Sequence, residues 1–104
     1  MNGPPWIPIV IAFMIEQAIE FNKKGGESFL KGDFDNAIRL YTQAIESNPK
    51  ISTYFSNRGR TYRRLGKATE SMNDAQEAIE LDENNIKAHQ LMGCIISIEP
   101  VGCW

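Results

Sequence analysis

The side chains with most chemical potential in this sequence crowd into one helix-length stretch, which holds Asn57, Arg58, Arg60, Arg63, Arg64 and Lys67. Thr53, Asn57, Arg60 and Arg64 fall at i, i+4, i+7 and i+11, the spacing that lines side chains along one face of an α-helix. They predict a polar, cationic stripe. A groove with such a lining attracts extended acidic ligands and speeds their encounter. A plainer reading stands beside it, in which the arginines solvate a helix face and pair with the acids that follow. Those acids are Glu70, Asp74, Glu77, Glu80, Asp82 and Glu83, with no cation among them. Segregation of this kind matters only where the two blocks lie on different surfaces.

Other candidate groups point away from catalysis. His89 is the only histidine, so no histidine dyad or cluster can form, and its helix offers no metal ligand at i+3 or i+4. It is expected to pack where a repeat wants a large side chain. Asp33 and Asp35 lack the further oxygen ligands and the glycine of a calcium loop, so helix capping accounts for them. Ser28 and Ser56 have no base partner, and Gly25 and Gly26 sit inside a helical pattern, not a phosphate loop. Neither an enzyme nor a cofactor or metal site is expected. Cys94 and Cys103, the only cysteines, match no metal spacing and read as free thiols of a reducing, cytoplasmic compartment.

The elements that position these groups repeat. Gly25, Gly59 and Gly93 stand 34 residues apart, and Gly32, Ile45 and Glu46 recur as Gly66, Ile79 and Glu80. Apolar spacing predicts helices over about 9–31, 34–47, 51–65, 68–81 and 85–98. Gly32 followed by Asp33 supplies a chain reversal and an N-cap, Asn48 and Pro49 end the second helix, and Leu65 with Gly66 closes the third. Each unit is therefore helix A, turn, helix B. The first runs over about 18–51, the second over 52–85, and helix A of a third starts at 86. Gly25, Gly59, Ala44 and Ala78 let paired helices approach closely, while Phe29, Tyr41, Phe55 and Tyr62 fill the space between. The fold class that follows is all-α, a short right-handed stack of antiparallel helix pairs, about two and a half repeats long.

Four segments carry a family resemblance: KKGGESFLKGDFDNAIRLYTQAIESNP (23–49), YFSNRGRTYRRLGK (54–67), AQEAIELDENN (75–85) and KAHQLMG (87–93). They resemble the tetratricopeptide repeat family, and within it the co-chaperone domains that clamp acidic tails of heat-shock chaperones. The second and last are similar to the CHIP ubiquitin-ligase type. The resemblance implies a groove lined by the A helices, with a Lys and an Asn on the first, an Asn on the second and a Lys, often with an Arg, on the third. Asn57 and Lys87 match. Asn22 and Gly26 stand where the first-helix Lys and Asn would be, and Leu91 stands at the place of the Arg. Lys23 shares the repeat position of Asn57, 34 residues earlier, and is placed to compensate in part. The implied ligand is an acidic C-terminal tail of a heat-shock chaperone, gripped by Asn57 and Lys87 and attracted by Arg60, Arg64 and Lys23.

The alternative is an assembly role. Residues 7–15 are apolar and belong to no repeat; they are expected to lengthen the first helix and cover the open end of the array. At the other end Met92, Ile95, Ile96 and Ile98 have no following helix to cover them. Uncovered ends of this kind drive homodimerisation or docking into a larger complex. Neither a membrane nor a nucleic acid is expected as partner. The apolar run is shorter than the roughly 20 residues of a spanning helix and has no flanking cation before Lys23. Thr61, Tyr62, Arg63 and Arg64 interleave aromatic and cation as single-strand binders do. However, Tyr62 falls at a core position of the repeat and the net charge is -2.

Overall fold

Proline lacks only an N–H that the first helical turn leaves unused, so Pro8 does not delay the helix that the apolar run favours. In the computed structural model, which describes residues 3–96, the chain becomes helical at Ile7, slightly before the expected position. The helices in order are α1 (Ile7–Leu30), α2 (Phe34–Ser47), α3 (Ser52–Arg64), α4 (Ala68–Leu81) and α5 (Ile86–Ile96). The second and fourth coincide with the expected spans. The expectations for Ile98, Cys103 and the tail from residue 99 lie outside the described residues, as do the side chains of Cys94, Ile95 and Ile96.

Both A-to-B turns use one device. Gly32 and Gly66 take φ of +80° and +78°, a left-handed conformation that costs glycine nothing and other residues about 1–2 kcal/mol. Gly32 N–H donates to Phe29 O and Asp33 N–H to Ser28 O, at 3.0 and 2.9 Å; Gly66 and Lys67 repeat the pattern on Arg63 and Tyr62, both at 2.9 Å. These are the paired bonds that satisfy a helix's last carbonyls and turn the chain back. Asp33 then caps α2, its carboxylate accepting from the Asn36 N–H.

Close packing follows from small residues facing large ones. A Cβ at Gly25 would lie 2.7 Å from the Tyr41 ring, and one at Gly59 would lie 3.1 Å from Leu91 Cδ1 and 3.2 Å from Asp74 Cβ. Ala18, Ala44 and Tyr54 form one buried cluster; Phe55, Ala78 and Ala88 form a second; Ile45 packs against both. The core is thus a row of small clusters, each shared between neighbouring helices, as expected of a stacked array.

The arc of the stack is set by which helices meet. α3 packs against both α1 and α5, whereas α2 and α4 have no Cα atoms within 8 Å of each other. The A helices therefore line the inside of the curve and the B helices stand apart on its outside.

The N-terminal segment corrects one expectation. Residues 7–15 do lengthen α1, but they cover nothing. Trp6, Ile9 and Phe13 are 58%, 71% and 60% exposed, and Val10, Ile11, Met14, Ile15 and Ile19 are exposed as well. At 1.5 Å per residue α1 is about 36 Å long against about 21 Å for α2, so its first turns have no helix beside them. No helix among the described residues is long and apolar enough to cross a membrane.

Candidate functional site

The predicted stripe on α3 lies along its seam with α1, on the inside of the arc. Asn57, half-buried, donates from Nδ2 to Oδ1 of Asn22 on α1 at 2.9 Å. One turn on, the Arg60 guanidinium sits 5.4 Å from the centre of the Phe29 ring; Arg64 sits 5.6 Å from Phe29 and 5.6 Å from Phe34. Phe29 and Phe34 meet edge to face at 5.3 Å. Each exposed cation–π contact contributes about 0.5–1 kcal/mol, enough to help orient the two arginines. The positive field of Arg60 also reaches the Tyr41 hydroxyl. Burial raises that phenol above its ordinary value and Arg60 draws it part of the way back.

Arg58, in the same sequence block, does something else. Its Nε and Nη2 donate to the two carboxylate oxygens of Asp74 on α4 at 2.8 and 2.7 Å, and Nη1 donates to Thr42 Oγ1 on α2 at 3.2 Å. Asp74 is 4% exposed. The hydrogen bond to Asp74 raises the guanidinium's affinity for its proton, against the opposing effect of burial. Arg58 thus links the two outer helices across the gap between them. For this residue, pairing with a neighbouring acid is the correct reading of the basic block. The other acids of the α4 block, Glu70, Glu77, Glu80, Asp82 and Glu83, are exposed.

α5 is fixed by a residue that the spacing arguments did not single out. Asn85 donates from Nδ2 to Ser52 Oγ at 2.6 Å and to Ser56 Oγ at 3.3 Å, while its Oδ1 accepts from the Ala88 N–H at 3.1 Å. One side chain caps α5 and ties it to α3. An Asn directly before an apolar helical run is the signal that could have found it. Lys87 follows two residues later, exposed on the first turn of α5.

The remaining predicted positions divide. Lys23 is exposed, and Asn22, one residue earlier, is what meets Asn57. Gly26 leaves space in which an added Cβ would meet only the Tyr41 hydroxyl at 3.7 Å. Leu91 is 5% exposed and fills the room above Gly59, so its position belongs to the core. His89 does not pack as expected. It is exposed, with Nε2 2.7 Å from the Glu83 carbonyl oxygen, because Ala88 and Leu91 occupy the buried face of α5 and residue 89 lies off it. Among the described residues no three His, Cys, Asp or Glu side chains gather to hold a metal.

Comparison with known proteins bears on this geometry. The model of the tetratricopeptide repeat matches residues 21–51 and 52–85. The chain belongs to the tetratricopeptide repeat family. It is 34% identical over 83 residues to human DnaJ homolog subfamily C member 7, a match covering 79% of this chain and 17% of that protein. It is 37% identical over 76 residues to Hsp70-Hsp90 organizing protein 2 of Arabidopsis thaliana, covering 73% of this chain and 13% of the other. The chain therefore spans less than a fifth of the length of these relatives. Among solved structures, the first tetratricopeptide domain of Spaghetti (RPAP3) bound to the HSP90 peptide SRMEEVD superposes with a TM-score of 0.77 at 28% identity, covering 78% of this chain and 64% of that one. None of the three is a ubiquitin ligase by name, so the finer likeness to the CHIP type rests on the quoted residues alone.

Proposed function

We propose that this tetratricopeptide chain is a protein-interaction module that holds an extended acidic tail of a heat-shock chaperone in the arc of α1, α3 and α5. The observation behind the proposal is the stripe of Asn57, Arg60 and Arg64 on the inner seam, in a fold shared with a domain bound to an HSP90 peptide. Arg60 and Arg64, with Lys23 nearby, supply long-range attraction; Lys87 and Asn57 supply close contacts. The proposal gives the chain no catalytic role and sets it in the cytoplasm, where Cys94 and Cys103 stay reduced. A charge-assisted hydrogen bond contributes about 1.5–3 kcal/mol, so Asn and Gly at positions 22 and 26 weaken the grip relative to a full carboxylate clamp.

Calorimetric titration with SRMEEVD, the peptide of the superposed domain, at low and moderate salt tests the proposal. Micromolar binding that falls with salt and is lost on Lys87→Ala is expected; an absence of heat at millimolar peptide would refute it. The exposed apolar turns of α1 favour a second reading, a module that self-associates or docks through that end. A concentration-dependent dimer on gel filtration, lost on Ile9→Asp/Phe13→Asp, is its signature.

A further inference from the structure

Ala18, Gly25 and Ser28 are the buried positions of α1. Ile7, Ile11 and Met14 extend that series toward the start of the helix, since 7, 11, 14 and 18 fall at i, i+4, i+7 and i+11 on one helix face. Inside the stack this face is covered, with Ala18 packed against Ala44 of α2 and Tyr54 of α3. α2 ends at Ser47, three residues after Ala44, so its cover stops near the level of residue 15 of α1. Beyond that level Ile11 and Met14 are 52% and 42% exposed. The missing cover is about nine residues of helix, or about 13 Å, antiparallel to α1 on a face continuous with the core.

The first turns of α1 in a second copy have that length and that apolar character. Turned antiparallel, with Ile7 of each copy opposite Met14 of the other, the two overhangs bury the same face on each other, the self-complementary arrangement of a two-fold dimer. Each overhang then stands in for the end that the other copy's α2 lacks. A parallel pair fails sterically, because the partner's helix from residue 18 onward would enter the space that α2 holds beside Ala18. Charge points the same way. Residues 3–15 carry no charged side chain, and the first acids are Glu16 and Glu20. In the antiparallel pair these pass beyond the partner's first helical turn, whereas in a parallel pair each would lie level with its own counterpart, which like charges oppose.

Resting on the second reading above, association through the exposed turns of α1, we infer that the partner is a second copy of this chain, paired antiparallel about Val10 and Ile11. An aromatic side chain presents about 150–250 Å² and an aliphatic one somewhat less, so the exposed fractions of Trp6, Val10, Ile11, Met14 and Ile15 offer roughly 400–500 Å² per copy. The pair buries about 900 Å², short of the roughly 1,200–2,000 Å² of a permanent complex. The dimer is accordingly weak and reversible, with a Kd of about 100 μM.

Sedimentation velocity of the full chain is expected to show monomer at about 1 μM and mostly dimer at about 1 mM. Pairing is then read by disulfide trapping with oxidised glutathione in a Cys94→Ser/Cys103→Ser background, into which Ile7→Cys and Met14→Cys are introduced separately. A mixture of the two variants is expected to give about fivefold more cross-linked dimer than either alone. Each cysteine faces the other's position, while its own counterpart lies about 10 Å further along the helix, out of reach of a disulfide. Circular dichroism checks that each variant keeps its helices. Single variants that cross-link better than the mixture show a parallel pair and overturn the inference, leaving association through these turns intact. Monomer at about 1 mM also overturns it, and leaves docking of a different protein at that end. A dimer unaffected by Ile9→Asp/Phe13→Asp, which puts two acids on each overhang, does not use that end; it overturns the underlying reading, and the inference with it.

Discussion

Replacing Arg58 by methionine keeps most of the side chain's volume and removes only its charge and donors. Asp74 would then lose both hydrogen bonds at 2.7 and 2.8 Å while remaining 4% exposed. Breaking a buried ion pair from one side costs about 3–5 kcal/mol, because the surviving charge is left unpaired. Arg58 is itself 19% exposed at the side chain, so water reaches the vacated site and the lower figure, about 3 kcal/mol, applies. For a domain of this size about 3 kcal/mol corresponds to a fall in Tm of about 12–24 °C, read by circular dichroism and checked by urea titration. The companion variant Arg58→Met/Asp74→Leu removes both charges and is expected to recover most of the loss, since an apolar pair can replace a buried ion pair at little cost. A single variant costing less than about 1 kcal/mol, or a double variant no more stable than the single one, would refute the assignment of Arg58 as the link between α2 and α4.

Three further substitutions separate packing from propensity and fix the sign of a pH effect. Gly25→Ala drives a methyl to 2.7 Å from the Tyr41 ring and should destabilise by about 1–3 kcal/mol. Gly26→Ala meets nothing closer than 3.7 Å and should stabilise by about 0.5–1 kcal/mol through helix propensity; urea midpoints showing the same sign for both would contradict the packing. Burial raises the Tyr41 phenol, with Arg60 opposing, and burial raises that of Tyr54. Because the folded state holds these protons more tightly, their contribution is complete below the ordinary value near 10 and drains away as pH climbs past it. Tm measured from pH 8 to 11 should fall less steeply in Tyr41→Phe than in the unmodified chain, and parallel curves would remove Tyr41 from the account.

What the sequence makes legible here is what repeats. The 34-residue step reveals the turn glycines, the A and B helices and the small residues at their crossings, because each unit solves the same packing problem. The stripe of Thr53, Asn57, Arg60 and Arg64 is legible for a related reason, since 3.6-residue periodicity alone places those residues together. Arg58 is legible only in part, because the plainer reading pairs its block with the acids that follow but singles out neither Asp74 nor Thr42, which lies in the other repeat. Asn22 likewise looks like a substitution at a binding position, and only the structure shows it occupied by Asn57. Residues 7–15 are apolar on all sides, so their pattern announces a need for cover without saying that the second helix is too short to provide it.

The gap between α2 and α4 has a mechanical consequence. The inner helices touch one another along the stack, whereas the outer pair is bridged by a guanidinium that grips a hydroxyl on one side and a carboxylate on the other. The separation of α2 and α4 is therefore expected to respond to changes at Arg58, on the side away from the inner seam. A substitution there changes the outer spacing while Asn57, Arg60 and Arg64 on the inner seam keep their identities.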